Sequence, residues 1–519
     1  MELKKIRRTK KQNTDYDYEK DQPIGQESGK ETKKWYITMF EPKKNGEDKA
    51  NSRILQMAVI FAGLFLCLIV YLVKFQIYDS ATVITSPYNK RLSHYGENIL
   101  RGTILSANGK ELAVTTIDEN GNAIREYPYD RMFAHVVGYD THGKAGLEST
   151  CNYQLLTSNA NPFVQLFNDL KGDKNPGDSV ITTLDTRLQK AAYKALGDYR
   201  GSVVAMDPKT GKVLAMVSRP DFNPNKISEK WNSYVKDDSK SNLLNRATQG
   251  LYPPGSTFKV LTALEYIREN PEDYKDYSYD CESTIIKNSV KIRCFGGSTH
   301  GEVDLAKSLE KSCNTSFVNI GTKLNQNQFR DLCETFLYNK EIPFSLTTKK
   351  SSYTLSKKSE KSKIPQTVIG QGDTLVTPLH NAMIISAIAN DGVLMEPYLI
   401  TEQTDYTGKQ IKTYEPKEYG RLIPEEEAKT MKKLLRKVVK NGTASELKSD
   451  KYKAAGKTGS AENGAGDDHA WFIGFANVDD ADLAVSVIVE NAGAGSKYAV
   501  PVAKKVFDSY YNNRMYEDY

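Results

Sequence analysis

The sequence has few of the residue patterns that carry metal or cofactor chemistry. Its six histidines and six cysteines are spread over 519 residues, and none of them forms an HExxH, HxH or CxxC motif. The histidines are His94, His135, His142, His300, His380 and His469. Because metal ligands usually show short and regular spacings in a sequence, we expect no metal site and no cofactor.

The chain also lacks a large excess of charge of either sign. Its 71 basic and 65 acidic residues give a formal net charge of +6, which is too small to indicate a nucleic acid as partner. The composition, 39% hydrophobic and 26% charged, is that of a globular protein. The length predicts at least two folded units.

Long apolar runs are absent with one exception, residues 54–73, which are apolar apart from Gln56. A helix of this length spans a hydrocarbon core of about 30 Å. The region before it carries clustered basic residues and no apolar periodicity, which predicts a disordered tail over residues 1–53. By the positive-inside rule, we expect a single-pass plasma-membrane protein with a cytoplasmic N-terminus, a transmembrane helix over residues 54–74 and its catalytic part outside. A cleaved signal peptide would have a shorter apolar region and a shorter leader.

Five of the six cysteines follow the predicted membrane helix, and an odd number cannot all pair within one chain. Cys281 and Cys294 flank a short segment, so a disulfide between them remains open in an oxidising compartment. We favour buried free thiols, because free cysteine is among the most often buried residue types.

The region after the membrane helix changes pattern once. Residues 75–180 mix short β-like runs with Asn-Gly turn signals and hold no cluster of acidic residues or metal ligands, which predicts a small, extended, β-rich pedestal domain. Residues 181–519 have β-rich runs near both ends and helical stretches between them. This order predicts an α+β fold, in which an antiparallel sheet is flanked by helices and carries a helical subdomain.

The elements of this second region can be bounded from the sequence. We predict strands at residues 201–206, 213–217, 470–476 and 483–489. We predict helices at residues 187–196, 257–270, 305–323, 379–390, 425–439 and 499–510. Residues 347–363 are almost wholly Lys, Ser and Thr, which predicts a solvated surface loop.

Three short motifs with reactive side chains occur in order in this region. They are Ser-x-x-Lys at Ser256 and Lys259, Ser-x-Asn at Ser312 and Asn314, and Lys-Thr-Gly at residues 457–459. Each motif alone is weak, because the chain holds further matches, for which we expect surface serines and one hairpin turn. Those matches begin at Ser233, Ser308 and Ser445 for the first motif, Ser106 for the second and Lys209 for the third.

The surroundings of Ser256 distinguish it from the other serines. It follows a Tyr-Pro-Pro-Gly run at residues 252–255, which predicts a sharp entry into a helix that begins at the serine. Ser256 and Lys259 then lie on one face of the first turn, where a lysine with a depressed pKa can accept the proton of a serine nucleophile. The helix N-terminus and the backbone N–H of Ser256 can stabilise an oxyanion. Ser256 is therefore the predicted nucleophile and Lys259 its base.

The Lys-Thr-Gly motif predicts a substrate-binding strand. Lys457 provides a positive charge, and the hydroxyls of Thr458 and Ser460 can hold a terminal carboxylate. The small residues around them, including Gly459, let a substrate backbone lie close to the strand. We also expect the backbone N–H of Ser460 to be a second oxyanion donor.

Ser312 and Asn314 fall in a predicted helix, where the simplest interpretation is two ordinary polar residues. If the three motifs converge, Ser312 can relay a proton between the active-site lysines and the departing amine. Asn314 can then hold the substrate amide.

With these motifs, the chain resembles class B penicillin-binding proteins. The three motifs, together with Ile-Gly-Gln-Gly-Asp at residues 369–373 and Val-Thr-Pro-Leu at residues 376–379, resemble the transpeptidase domain of that family. Arg-Gly-Thr-Ile at residues 101–104 and Gly-Lys-Ala-Gly-Leu-Glu at residues 143–148 resemble its pedestal. The resemblance implies the penicillin-binding, serine-transferase fold for nearly all of the chain after the membrane helix.

The resemblance implies a peptidoglycan D,D-transpeptidase that acts in cell wall synthesis during division or elongation. In this family the serine, here Ser256, attacks the D-Ala-D-Ala end of a stem peptide and releases D-alanine. An amine of a neighbouring stem captures the acyl-enzyme, and β-lactams acylate the same serine. The pedestal stands where class A members carry a glycosyltransferase domain, so a multi-pass peptidoglycan glycosyltransferase is the expected partner.

Other functions remain open at this point. A serine β-lactamase would need a base that hydrolyses its acyl-enzyme, and no glutamate is identified for that role by spacing. A membrane-bound β-lactam sensor would usually have several membrane helices, and a D,D-carboxypeptidase differs only in using water as acceptor. A Ser-His-Asp triad with His469 beside Asp467 and Asp468 is disfavoured, because Lys259 already supplies the base.

Overall fold

The computed structural model describes residues 46–76 and 98–514, apart from residues 238, 357 and 465. Residues 1–45 of the predicted disordered tail and residues 77–97 of the predicted pedestal lie outside this part of the chain. The chain divides into two compact units, Met1–Ser80 and Ala81–Tyr519.

The described part of the first unit is the helix α1 (Gly46–Lys74). It covers the predicted transmembrane segment and begins before residue 54, so residues 46–53 are helical rather than disordered. Its segment Asn51–Lys74 is long and apolar enough to cross a membrane. The large apolar side chains of this segment are exposed, and apolar residues on every face of a helix are typical of a membrane span.

The second unit combines helices and strands. Its helices are α2 (Ala134–Val137), α3 (Gly146–Thr150), α4 (Asn152–Leu155), α5 (Pro162–Lys171), α6 (Thr186–Leu196), α7 (Ile227–Lys236), α8 (Arg246–Gln249), α9 (Lys259–Glu269), α10 (Leu305–Glu310), α11 (Asn314–Gly321), α12 (Gln326–Thr335), α13 (Ile364–Thr367), α14 (Pro378–Ala389), α15 (Glu425–Asn441) and α16 (Gly495–Arg514). The predicted helices at residues 187–196, 379–390, 425–439 and 499–510 are confirmed, with bounds shifted by a few residues.

The strands of this unit form several sheets. They are β1 (Ile99–Leu100), β2 (Ile104–Leu105), β3 (Glu111–Ile117), β4 (Ala123–Glu126), β5 (Asn175–Pro176), β6 (Ser179–Thr182), β7 (Gly201–Met206), β8 (Val213–Arg219), β9 (Tyr279–Cys281), β10 (Thr284–Lys287), β11 (Val290–Arg293), β12 (Gly301–Val303), β13 (Val393–Met395), β14 (Ile400–Thr404), β15 (Gln410–Thr413), β16 (Glu418–Arg421), β17 (Ala455–Ala461), β18 (His469–Ala476) and β19 (Leu483–Val489).

A five-stranded antiparallel sheet in the order β17-β18-β19-β7-β8 forms the centre of the second unit. It contains all four predicted strands, and the predicted pairing of β7 with β8 is confirmed. Every residue of β7 and β19 is buried, which requires cover on both faces of the sheet. The helices α6 and α16 pack against this sheet, and so does α14, whose residues are all buried. The predicted α+β fold, an antiparallel sheet flanked by helices, is confirmed.

The hairpin turn between β7 and β8 contains the other Lys-Thr-Gly sequence of the chain, residues 209–211. Gly211 has φ +80°, a left-handed conformation that glycine adopts without strain. Lys209 is partly exposed and pairs with Asp480 at the surface. The prediction of a structural turn for this sequence is confirmed.

A six-stranded sheet in the order β15-β14-β6-β2-β3-β4 joins the predicted pedestal to strands from much later in the chain. The strand β6 pairs with β14, which follows it by more than two hundred residues. No local pattern in the sequence indicates a pairing over that separation.

The two pedestal motifs meet at a buried group of ion pairs. Arg101 and Arg125 donate to the fully buried carboxylate of Glu148 at 2.6 and 2.7 Å. Burial opposes the charged form, but the two guanidinium groups hold the pKa of Glu148 below its usual value. Because an unpaired buried charge is strongly destabilising, these contacts tie residues 101–104 to residues 143–148.

The structure also differs from the prediction at residues 305–323 and 347–363. The predicted helix over residues 305–323 is interrupted between α10 and α11, where Ser312 has φ +55°. The predicted surface loop over residues 347–363 has irregular backbone, but Tyr353 and Leu355 are buried. Tyr353 stacks on Phe258 with ring centroids 5.9 Å apart, so this polar stretch contributes to the core.

Candidate active site

Ser256 is half-buried and lines a cleft of about 580 Å³. It lies in a 3₁₀ turn (Gly255–Thr257) that precedes α9. The prediction that the α-helix begins at the serine is therefore wrong, because the α-helix begins at Lys259. The hydroxyl of Thr257 donates to the carbonyl oxygen of Pro254 at 2.8 Å and closes the turn.

The backbone before Ser256 is held by contacts from two other elements. The indole N–H of Trp471 donates to the carbonyl oxygen of Pro253 at 3.0 Å. The N–H of Gly255 donates to the carbonyl oxygen of Gly370 at 2.8 Å. Gly370 has φ +76°, and a Cβ there would lie 2.1 Å from the oxygen of Gly255, so a larger residue does not fit. The Gly-Gln-Gly-Asp segment thus supports the turn that carries Ser256.

Lys259 is fully buried at the start of α9. Its Nζ donates to the carbonyl oxygen of Ser312 at 2.8 Å and to Oδ1 of Asn314 at 2.6 Å. Burial lowers the pKa of Lys259 to about 8, because loss of solvent disfavours the charged form. A lysine with this pKa has a neutral fraction at neutral pH that can accept a proton from a nearby hydroxyl.

Lys457 is the second fully buried lysine and lies on β17. Its Nζ donates to Oγ of Ser312 at 2.8 Å and to the carbonyl oxygen of Thr458 at 3.0 Å. Burial, and then the charge of Lys259, hold the pKa of Lys457 well below its usual value. Because Oγ of Ser312 also lies 3.4 Å from Nζ of Lys259, one hydroxyl connects the two lysines.

Ser312 lies in the turn between α10 and α11, and Asn314 is the first residue of α11. The positive φ of Ser312 is uncommon for a residue other than glycine and persists only where the surroundings fix the backbone. Asn314 begins α11, and its Nδ2 donates to the carbonyl oxygen of Arg293 at 2.8 Å. The interpretation of these residues as two ordinary helix positions is wrong, because both contact Lys259.

The residues Thr458, Gly459 and Ser460 of the edge strand β17 line the cleft. Oγ of Ser460 accepts a hydrogen bond from the N–H of Gly495 at 3.3 Å. A Cβ at Gly459 would lie 3.1 Å from Cγ2 of Thr257, so the glycine lets the strand pack closely against the Ser256 turn. An edge strand has backbone groups with which an extended peptide can pair.

Some side chains of the cleft have no local signal in the sequence. The hydroxyls of Thr443 and Thr458 are 2.6 Å apart, which places a further hydroxyl beside the Lys-Thr-Gly motif. Gln371, Glu462 and Asp468 also line the cleft. Gln371 belongs to the segment 369–373 that resembles the family, and Asp468 was named only for the alternative triad, whereas nothing in the sequence indicated Thr443 or Glu462.

The competing serines divide into two groups. Ser233 and Ser445 are exposed, as expected. Ser308 and Ser106 are fully buried, so the expectation of surface positions is wrong for them. Oγ of Ser308 is hydrogen-bonded to Oγ of Ser316 at 2.7 Å, and such internal partners allow a serine to be buried.

The alternative triad finds no support in the described contacts of His469. Its Nδ1 accepts a hydrogen bond from the N–H of Asn491 at 3.1 Å, and its ring packs edge-on against Tyr252. None of these contacts is to Ser256, so Lys259 remains the candidate base.

The six cysteines, all within the described part of the chain, form no disulfide, and the five after α1 are buried. The predicted burial of these cysteines is confirmed, and the Sγ atoms of Cys281 and Cys294 lie 3.7 Å apart. Cys281, Cys294, Cys313 and His300 gather beside the Ser312 turn, and their side-chain atoms are of the types that bind metal ions. The sequence spacing did not indicate this cluster.

Two family models match the chain. The model described as the penicillin binding protein transpeptidase domain matches residues 201–508. The model described as the penicillin binding protein A dimerisation domain matches residues 101–180. The first match covers more than half of the chain and includes all three motifs.

Curated relatives and solved structures are similar over most of their length. The peptidoglycan D,D-transpeptidase PbpA of Mycolicibacterium smegmatis is 30% identical over 490 residues, which cover 88% of this chain and 98% of the relative. The peptidoglycan D,D-transpeptidase MrdA of Haemophilus influenzae is 30% identical over 84% of this chain and 72% of the relative. The ceftriaxone acyl-enzyme structure of penicillin-binding protein A from Mycobacterium tuberculosis has a TM-score of 0.74 at 28% identity, covering 80% of this chain and 99% of that chain.

Proposed function

Because this chain belongs to the class B penicillin-binding proteins, we propose that it is a peptidoglycan D,D-transpeptidase that works through an acyl-enzyme on Ser256. The two curated relatives described above are named peptidoglycan D,D-transpeptidases, and the similar structure of penicillin-binding protein A is a ceftriaxone acyl-enzyme complex. The observation that carries the residue assignment is the convergence of the three motifs. Ser256 lines one cleft with Ser312, whose hydroxyl contacts both Lys259 and Lys457.

Acylation begins when the hydroxyl of Ser256 attacks the carbonyl carbon of the D-Ala-D-Ala peptide bond. Lys259 in its neutral form takes the hydroxyl proton. The peptide C–N bond then breaks, and D-alanine leaves with a proton passed on through Ser312. The distances of 3.4 and 2.8 Å from Oγ of Ser312 to Lys259 and Lys457 support this relay.

Transfer completes the cycle. The amine of a neighbouring stem peptide attacks the carbonyl carbon of the acyl-enzyme and loses a proton to the same base. The ester bond to Ser256 breaks, and the serine hydroxyl is restored. A β-lactam acylates the same hydroxyl, because its ring carbonyl takes the place of the D-Ala-D-Ala carbonyl.

The stem peptide lies in extended form along β17. Asn314 holds its amide, and the hydroxyls of Thr458 and Ser460 hold its terminal carboxylate, near the charge supplied by the lysines. The backbone N–H groups of Ser256 and Ser460 donate to the oxyanion. The edge position of β17 and the close packing at Gly459 support this arrangement.

The catalytic unit acts on the outer face of the plasma membrane, with residues 1–53 in the cytoplasm and residues 54–74 of α1 as the anchor. The basic residues near the N-terminus support this orientation. The region between α1 and the transpeptidase match is similar to a dimerisation domain, whereas class A members carry a glycosyltransferase domain there. The glycan strands that this chain crosslinks are therefore supplied by a partner, a multi-pass peptidoglycan glycosyltransferase.

Labelling with a fluorescent penicillin tests the nucleophile. Ser256→Ala should abolish labelling of the full-length, detergent-solubilised protein while its melting temperature stays near that of the wild type. Ser233→Ala is the matched control, because Ser233 is an exposed serine with Lys236 three residues later. Wild-type labelling of Ser256→Ala would refute the assignment, and rapid hydrolysis of the penicilloyl adduct would favour a β-lactamase.

A further inference from the structure

The helix α5 (Pro162–Lys171) carries an apolar face that no other described residue covers. Four large apolar side chains lie at positions i, i+3, i+4 and i+7 and are between 55 and 82% exposed. They are Phe163, Leu166, Phe167 and Leu170. At 3.6 residues per turn, these positions fall within an arc of about 100°. Exposed apolar patches of this kind mark surfaces that contact protein or lipid.

The opposite face of α5 is polar and holds the helix to the rest of the second unit. Nε2 of Gln165 donates to the carbonyl oxygen of Ala160 at 2.8 Å. Nδ2 of Asn168 donates to Oδ1 of Asn175 at 3.1 Å, and Nδ2 of Asn175 donates to Oδ1 of Asp169 at 2.9 Å. Surface helices of globular proteins usually turn their apolar face inward. The reversed orientation of α5 therefore calls for a cover from outside the fold.

Both ends of α5 are capped, so the exposed face belongs to a well-defined helix. The side chain of Asn161 accepts from the N–H of Phe163 at 2.9 Å, and Pro162 occupies the first position of the helix. Gly172, with φ +77°, ends the helix in the left-handed conformation. These residues are the ones that helix starts and stops favour. The sequence thus builds this helix although its apolar face has no partner among the described residues.

A pair of parallel strands places α5 at the end of the second unit that the anchor leads into. The strands β1 and β5 are parallel, with Ile99 opposite Asn175. Because the strands run parallel, the chain enters both of them at the same end. The helix α5 leads into β5 through residues 172–174, and α1 leads into β1 through residues 75–98.

We propose that the apolar face of α5 lies in the outer leaflet of the bilayer and gives the second unit a further contact with the membrane. Interfacial helices place their apolar face about 5–10 Å into the boundary between headgroups and acyl chains. The ammonium of Lys171 lies 4.2 Å from the ring centroid of Phe167, so it stands at the rim of this face, where a lysine can reach headgroup phosphates. The proposal rests on α1 as the anchor and on the proposed location of the second unit outside the cell.

The size of the apolar face fits a lipid surface better than a protein partner. Its four side chains expose roughly 500 Å², whereas each partner of a stable protein complex contributes about 800 Å². A surface that is tethered to the bilayer by α1 needs no high affinity of its own, because the tether raises its effective concentration there. A short apolar face is therefore enough for binding.

Fluorescence quenching in lipid tests the contact directly. The full-length protein is inserted, one chain per disc, into nanodiscs of phosphatidylcholine and phosphatidylglycerol with or without bromine on the acyl chains. The emission added by Phe163→Trp should fall about twofold or more with bromine, because the side chain lies at the depth of the acyl boundary. Wild-type emission, which comes from Trp35, Trp231 and Trp471, is subtracted. Phe295→Trp is the matched control that should not be quenched, since Phe295 is an exposed phenylalanine that borders the cleft.

Charges on the apolar face test whether this face makes the contact. Leu166→Asp and Leu170→Asp, introduced together into Phe163→Trp, should remove most of the quenching, because a carboxylate is costly in the acyl region. Leu166→Met and Leu170→Met keep the face apolar and should retain it. Melting temperature in detergent and the rate of penicillin labelling should stay near those of the wild type in both pairs, since α5 has no buried residue and lies outside the cleft.

Three results would overturn the proposal. They are unquenched emission of Phe163→Trp in inserted protein, equal quenching of Phe295→Trp, and quenching that the paired Asp substitutions do not reduce. The first would assign the face to another cover, such as a second copy of the chain or residues 77–97.

The failure of the anchor and the failure of the proposed reaction give different results. Wild-type protein that does not enter the discs would count against α1 as an anchor and would overturn the proposal with it. Inserted protein that does not react with penicillin would count against the proposed function alone, because quenching does not depend on the reaction at Ser256.

Discussion

At the scale of single residues, the two buried lysines share one hydroxyl, and burial is the main reason that the pKa of each lies below its usual value. Burial lowers the pKa of Lys259 to about 8, and burial together with the charge of Lys259 holds the pKa of Lys457 well below its usual value. The charge of Lys259 disfavours a second charge on Lys457. Oγ of Ser312 contacts both amines, so this hydroxyl can pass a proton between them.

The pKa of Lys259 predicts how acylation depends on pH. The second-order rate constant for penicillin should rise from about pH 6 and level off above about pH 9. The sign follows because Lys259 accepts a proton only when it is neutral, and its neutral fraction grows as the pH passes through about 8. Stopped-flow measurement of labelling gives the profile, with Lys259→Arg as a slow control. A profile that is flat or falls over this range would contradict the role of Lys259 as base.

Single residues also show what the sequence could reveal. Ser256 could be identified because the Pro-Pro-Gly run and the two later motifs distinguish it from the other serines with lysine at i+3. The burial of Ser308 could not be predicted from the sequence, because its hydrogen-bond partner Ser316 lies on the next helix. The proximity of Cys281, Cys294, His300 and Cys313 could not be predicted for a similar reason, since strands and turns bring these residues together from separate segments.

At the scale of elements, the site is assembled from a 3₁₀ turn, a turn between two helices and an edge strand. The hydrophobic pattern predicted α9 and the strands of the central sheet, because burial of one face imposes a period on the sequence. It failed at residues 305–323, where no glycine or proline marks the break. The positive φ of Ser312 is held by a tertiary contact, the bond from Nζ of Lys259 to its carbonyl oxygen.

The support of the Ser256 turn by Gly370 predicts a separable effect of two glycines. Gly370→Ala should slow acylation by at least about tenfold, because displacement of a reacting group by about 1 Å has effects of this size. Gly372→Ala is the control: its φ of +74° gives similar backbone strain, but the nearest atom to a new Cβ is 3.7 Å away. Labelling rates and melting temperatures of both variants provide the measurement. Equal slowing in both would attribute the effect to backbone strain and contradict the supporting role.

At the scale of the whole molecule, the family matches and the fold agree on a transpeptidase unit preceded by a dimerisation-type region. The sequence predicted a change of pattern near residue 180, and β6 (Ser179–Thr182) lies there. This strand pairs with β14, so strands from before and after that point share one sheet. Such a pairing is set by chain topology and burial, which short sequence patterns do not record.

The central claim is that Ser256 transfers stem peptides between glycan strands. Mass spectrometry of the products formed by the full-length protein from a lipid-linked stem peptide and a polymerising glycosyltransferase tests this claim most directly. The account predicts crosslinked stem dimers and released D-alanine with the wild-type protein and neither product with Ser256→Ala. Release of D-alanine without dimers would indicate a carboxypeptidase, and dimers formed equally by Ser256→Ala would contradict the account.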